Sequence, residues 1–335
     1  MTPMAEPTIA GGRSWTFDAP VVACAFEQNG IGAFACGDGS LRIFVDEQEP
    51  QAINVHAGAI LSLAAHPNVG FLSGGDDGRL VHTIPGGESR VLFEQKGKWI
   101  EALAVSQATG LVAFTLGKDA IVLDGDQVIG RFTHPTTATG VAFDPKGRRI
   151  AVSHYNGASL WWTKSANQTP TVLNWKGSHL GVTWSPDGKF LVTTMQESAL
   201  HGWRIEDAAD MRMTGYPSKV KSMVWEHRGK VLMTAGAPQV IGWPFTGRNG
   251  PMGREPLQIG PESEAIIHVV AAHPEFDLVA AGTAEGSVWM QWIGEEEAGT
   301  IARDLPAISC MAFAPDGSSL AVGTEQGFAA VLDAA

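Results

Sequence analysis

The sequence predicts an all-β fold, an eight-bladed β-propeller with four antiparallel strands per blade. Three observations predict it. One pattern recurs eight times along the 335 residues: a short apolar strand, a polar turn, a second apolar strand, a Gly-rich or small-residue loop and a third strand. The residues that end the first strand of each unit are Phe26, Ala65, Val105, Phe143, Trp184, Trp225, Ala272 and Phe313. Their mean interval is about 41 residues, the length of a four-stranded blade. The outer strands number one fewer than the units, and a spare strand is available at the opposite end of the chain.

Taken in order, residues 1–12 are expected to be disordered, ahead of a single domain over 13–335. RSWTFD (13–18) is the spare strand. The units then begin at Val21 (VVACAFEQNGIGAFACGDGSLRIF), Ala59, Trp99, Thr137, Ser178, Lys219, Ala265 and Ala307. Outer strands are expected at 51–56, 89–95, 127–134, 169–176, 211–216, 255–260 and 300–305. The eighth unit stops at VLDAA after its third strand, so RSWTFD is expected to close the last blade and leave no open seam. The sixth unit is longer than the rest because of GRNGPMGREP (247–256), an exposed Gly- and Pro-rich loop on the opposite rim.

The best-formed copies are VTWSPDGKFLV, VAFDPKGRRIAVS, MAFAPDGSSLAVGT and LSGGDDGRL. On these segments nearly the whole chain resembles the WD40-repeat β-propeller family, in a divergent, bacterial-type, single-domain form. The Trp-Asp pair that usually closes each repeat is absent, with Leu123–Asp124, Trp161–Trp162, Trp203–Arg204, Trp243–Pro244 and Leu332–Asp333 near those positions. The resemblance implies that His56 and His134 are buried against the loop residue of the same blade, His56 on Asp77 and His134 on Asn156.

Charge and cysteine content narrow the function. A formal net charge of -12 repels phosphate backbones, so no nucleic-acid partner is expected. Cys24, Cys36 and Cys310 lack metal-ligand spacing and suit buried free thiols in a reducing compartment. No secretory signal is visible, and no apolar stretch is long enough to span a bilayer, so a cytoplasmic protein without membrane contact is expected.

Catalytic motifs are missing. Gly30-Ile31-Gly32-Ala33-Phe34-Ala35 fits a dinucleotide fingerprint in spelling, but it runs into a strand where that chemistry needs a helix N-terminus. No enzyme and no cofactor are expected. An enzyme using the central channel would have only Glu101, Lys221 and His268 as polar candidates. His66 and His273 sit in His-Pro turns and read as structural. His134, His154 and His179 map to one rim and raise the alternative of a zinc-related accessory protein.

The remaining signal is a half-rim. Loops entering first strands and joining second to third strands hold Trp99, Tyr155, Trp175, His179 and Tyr216 in the third to sixth units. Lys98, Lys118, Lys176, Lys219 and Lys221 share that rim, whereas the other units place acids there, among them Asp38, Asp76, Glu285 and Glu325. In WD40-like propellers this rim is the usual binding face. Aromatic side chains at loop positions are the type that become interface hot spots, and a bipolar face orients a partner. The expected function is therefore a scaffold or adaptor that docks an acidic protein or peptide on these residues.

Overall fold

The computed structural model describes residues 6–45, 48–165 and 168–334. Every regular element among them is a strand. The chain begins with β1 (Thr8–Ile9) and β2 (Arg13–Thr16), followed by a sheet of β3 (Val21–Phe26), β4 (Gly32–Cys36), β5 (Ser40–Phe44) and β6 (Gln51–Asn54). Two more four-stranded sheets follow: β7 (Ile60–Ala65), β8 (Phe71–Gly75), β9 (Arg79–Thr83) and β10 (Ser89–Glu94), then β11 (Leu103–Val105), β12 (Val112–Leu116), β13 (Asp119–Asp124) and β14 (Gln127–Thr133). The next sheet has six strands: β15 (Gly140–Phe143), β16 (Arg149–Trp162), β17 (Thr171–Trp184), β18 (Phe190–Met195), β19 (Leu200–Arg204) and β20 (Asp210–Met213). After it come β21 (Met223–Trp225), β22 (Val231–Thr234), β23 (Val240–Pro244) and β24 (Leu257–Ile259). The last two sheets contain β25 (Ile267–Ala272), β26 (Leu278–Thr283), β27 (Val288–Trp292) and β28 (Ala298–Arg303), and β29 (Ile308–Phe313), β30 (Ser319–Thr324) and β31 (Phe328–Asp333).

This is a β-propeller architecture, and it corrects the blade count. Among the described residues eight sequence units make seven hydrogen-bonded sheets, so the propeller has seven blades and the eight-bladed reading does not stand. The reason lies in β16 and β17, each 14 residues long. Strand β16 runs unbroken through the second and third strands of the fourth unit. Strand β17 runs through the outer strand of that unit and the first strand of the fifth. Their ladder joins the two units in one sheet, whose halves pack face to face through Ala158, Leu160, Leu173, Trp184, Leu191 and Trp203.

The N-terminal strand completes the sheet of β29–β31, with Arg13 opposite Val331 and Thr16 opposite Phe328. Thr8 and Ile9 lie within the segment expected to be disordered, yet β1 pairs with β28 (Thr8 opposite Arg303). The Ile9 side chain explains this, since it packs on the apolar cluster around Leu305 and Ile308. Residues 1–5 lie outside the described residues.

The chain forms two compact units, residues 54–215 and residues 1–53 with 216–335. Second strands such as β4, β8, β12, β18 and β26 are buried at every residue. Apolar side chains on both faces of a strand bury well only when neighbouring sheets cover both, which is what stacked blades provide. Among the described residues no helix is long and apolar enough to cross a membrane.

One polar network anchors the second sheet. His56 Nδ1–H donates to Asp77 Oδ1 (3.0 Å), Ser73 Oγ lies 2.9 Å from His56 Nε2, and Asp77 Oδ2 accepts from the Ala57 N–H (3.1 Å). Burial alone would raise the Asp77 carboxyl, but these hydrogen bonds outweigh it and hold it below its usual range. The other resemblance-based pairing is corrected. His134 Nδ1–H donates to the Lys118 carbonyl (3.1 Å), and its Nε2 accepts from the Trp161 indole (3.0 Å). Asn156 instead turns its Oδ1 to the Gly177 N–H (3.4 Å).

Candidate functional site

The site on unit 54–215 originates in the bend of β16. The pairing register shifts between Tyr155 and Gly157, with Asn156 at φ 71° and Gly157 at φ 137°. A Cβ on Gly157 would lie 2.0 Å from the Leu173 carbonyl oxygen, so only glycine fits. The bulge turns Tyr155 outward, where it is 50% exposed, while its N–H donates to Thr136 Oγ1 (3.1 Å). Bulges re-aim side chains in this manner.

Opposite Tyr155, β17 supplies Asn174, Trp175 and Lys176. Together with Tyr155 and Asn156 they line an open cavity of about 530 Å3. The Trp175 indole stacks on the His201 ring, with centroids 4.0 Å apart and planes 16° apart, so one of its faces is held by the core. Lys176 is exposed, and Glu197 lies close by, accepting from the Ser178 N–H (3.1 Å).

The loop between β10 and β11 adds Lys98 and Trp99, the latter 59% exposed. Lys98 Nζ lies 3.4 Å from the position a Cβ would take on Gly117, which places it beside the turn that carries Lys118. That turn is tied to the segment preceding β15: the Ala138 N–H donates to the Gly117 carbonyl and the His134 N–H to the Lys118 carbonyl, both at 2.8 Å. Thr136 of the same segment contacts Tyr155. The structure therefore brings Lys98, Trp99, Lys118, Tyr155, Trp175 and Lys176 onto successive connected turns.

Four expected site residues fall elsewhere. His179 is fully buried, with Nδ1 2.7 Å from Thr193 Oγ1 and Nε2–H donating to the Trp175 carbonyl (3.0 Å). Tyr216 is 9% exposed; its hydroxyl accepts from the Trp243 indole and sits 2.6 Å from Thr234 Oγ1. Burial pushes the Tyr216 phenol up to about 12, against the opposing pull of those two hydrogen bonds. Neither side chain is a contact residue. Lys219 and Lys221 belong to the other unit, Lys219 half-buried and Lys221 exposed beside a separate cavity. Sequence reasoning missed Asn156 and Asn174, although Asn156-Gly157 is the kind of dipeptide that marks positive φ.

The zinc alternative does not gain a ligand set. His154 donates through Nδ1–H to the Tyr155 carbonyl and has Ser159 Oγ 2.9 Å from Nε2. With the bonds of His134 and His179 given above, all six ring nitrogens of the trio are engaged. A different group, Glu226, His227 and Asp277, places possible ligand atoms within 4.8 Å of one another. It reads as a turn cap: the Glu226 carboxylate accepts from the N–H groups of Arg228, Lys230 and Val231, and the Arg228 guanidinium already pairs with Asp277 at 2.8 Å. Asp144 occupies the equivalent slot in the fourth unit and accepts from Arg148 and Arg149 N–H groups. His66 and His273 cap their turns in the same way.

His201 is the anomaly behind the site. It is fully buried and neither ring nitrogen makes a hydrogen bond. Burial drives its pKa down to about 3, aided by His179 and Arg212. The unfolded chain then takes up a proton that the folded chain refuses, so stability is complete above about 6.5 and falls as the pH drops towards 3. His201→Phe, which keeps a ring against Trp175, is expected to flatten the fall in melting temperature between pH 6.5 and 4.5. An unchanged slope would assign that fall to other groups, such as His134, which burial holds at about 4.

No protein-family model matches the chain, and no curated protein matches it either.

Proposed function

We propose that this chain is a non-catalytic, WD40-type propeller of the cytoplasm whose face on unit 54–215 docks an acidic segment of a partner protein. The observation that carries the reading is the pairing of exposed aromatics with lysines. Tyr155 on strand β16 and Trp99 on the loop before β11 are both at least half in solvent, beside exposed Lys98, Lys118 and Lys176. Large aromatics kept out of the core on fixed backbone lose little entropy on contact and serve as anchors. Lysines concentrated on one face of a chain of net charge -12 select an acidic ligand. The His56–Ser73–Asp77 network supports the WD40 reading, since it is the buried pairing that the resemblance implies.

The test is binding of a fluorescent Asp/Glu-rich peptide library to the purified protein, followed by polarisation. Lys98→Glu/Lys176→Glu is expected to weaken the selected peptides at least about 10-fold, and added salt should weaken the wild-type complex. Affinity that ignores both charge reversal and salt would overturn the reading.

A further inference from the structure

Cys24 and Cys310 lie on β3 and β29, the first strands of two sheets in unit 1–53/216–335. Those sheets pack through Val21, Phe34, Phe44, Ala321, Ala329 and Val331, and both cysteines pack against this cluster. When the sequence units are aligned, Cys310 takes the position of Ser222, and Cys24 takes that of Val270. At the latter pair Ser222 Oγ bridges to the next sheet, donating to the Val270 carbonyl (3.4 Å) and accepting from its N–H (3.1 Å). At the junction of β29 with β3 the serine-to-backbone bridge moves one residue back, Ser309 Oγ donating to the Val21 carbonyl (2.5 Å), and beside it two thiols stand in hydrogen-bonding contact. Cys24 Sγ is directed at β30, 3.9 Å from the Ala321 carbonyl oxygen, and a Cβ on Gly323 of the same strand would lie 2.7 Å from Cys310 Sγ.

Access is the second requirement. As residues both cysteines are partly exposed, unlike the buried Cys36, with the Cys24 thiol itself turned into the packed cluster. Cys310 also lines a cavity of about 280 Å3 with Lys221, Ser222, His268 and Glu325. A small polar oxidant can reach it there.

We propose that Cys24 and Cys310 are an oxidisable dithiol, converted by peroxide into a disulfide that staples the sheet of β2 and β29–β31 to the sheet beginning at Val21. The Cys310 thiolate attacks one peroxide oxygen, which breaks the O–O bond, releases hydroxide and leaves Cys310 as a sulfenic acid. Cys24 sulfur then attacks the sulfenic sulfur, expelling the hydroxyl as water while its own proton is lost. Two thiols are oxidised by two electrons, and one peroxide is reduced to two waters. The hydrogen bond to Cys310, together with burial, raises the Cys24 thiol well above its ordinary range, so the closing step accelerates with rising pH.

The experiment treats the intact native protein with excess hydrogen peroxide, blocks remaining thiols by alkylation and maps peptides without reduction. The expected product is a Cys24–Cys310 linked peptide with Cys36 still alkylated, and a melting temperature raised by about 5–10 °C that reverts on reduction. Cys36→Ser is expected to retain the link. Cys24→Ser is expected to lose it and to accumulate sulfinic acid at Cys310. Wild-type protein in which both thiols remain alkylatable, or in which Cys310 reaches the sulfinic state beside an alkylated Cys24, overturns the proposal. The wild-type map decides the matter by itself if a variant fails to fold.

Discussion

Trp203→Ala is expected to lower the stability of the protein by about 3–5 kcal/mol, the range for truncating a buried indole. Trp203 is 1% exposed and heads the fully buried side chains by volume. Its ring contacts those of His179 and His201, with centroids 5.5 and 4.7 Å away. It also belongs to the cluster that holds the two halves of the six-stranded sheet together. Removing it empties a volume that Leu160, Leu173 and Leu191 cannot refill without breaking the β16–β17 ladder. Urea unfolding measures the effect as a lower midpoint at an unchanged m-value. A loss under about 1.5 kcal/mol would mean that the two halves collapse onto each other, contrary to the packing described.

The second large effect falls on binding. Trp99→Ala/Tyr155→Ala is expected to weaken the selected acidic peptides by about 100-fold or more, because two central anchors of about 2 kcal/mol each are lost. Both side chains are at least half-exposed, so the melting temperature should stay close to that of the wild type. That contrast separates a contact role from a packing role. Unchanged affinity in a protein of unchanged stability would place the docking surface elsewhere, with the exposed turns around Met252 next to be tested.

Much of the fold was legible because strand order follows the period of the sequence. The outer strands expected at 89–95 and 127–134 appear as Ser89–Glu94 and Gln127–Thr133. The sheet count was not legible, for a local reason. A period reports how often the pattern returns, and it is blind to whether a connection is a free turn or a continued ladder. At Asn156-Gly157 and Lys176-Gly177 the glycines take φ values of 137° and 130°, and the backbone bends without leaving the sheet.

The candidate site was partly legible for a similar reason. Loop position identified Trp99 and Tyr155 as exposed, and both are. It could not separate them from Tyr216, whose hydroxyl is drawn inward by Thr234 and Trp243. Nor could it separate them from His179, held by Thr193. The hydroxyl partners stand in the sequence, but the distance between strands that makes them partners does not.

The pairing of β2 with β31 also bears on how the chain is made. Arg13 leaves the ribosome long before Val331, its partner across the sheet. At synthesis rates of about 5–20 residues per second, the N-terminal strand waits about 15–60 s for its ladder. During that interval β2 has no ladder partner within the nascent chain, and Trp15 has only Phe34 and Phe44 of the next sheet to pack against. Closure is thus a late event of high contact order. The period before it is when a holding chaperone would matter most to this protein.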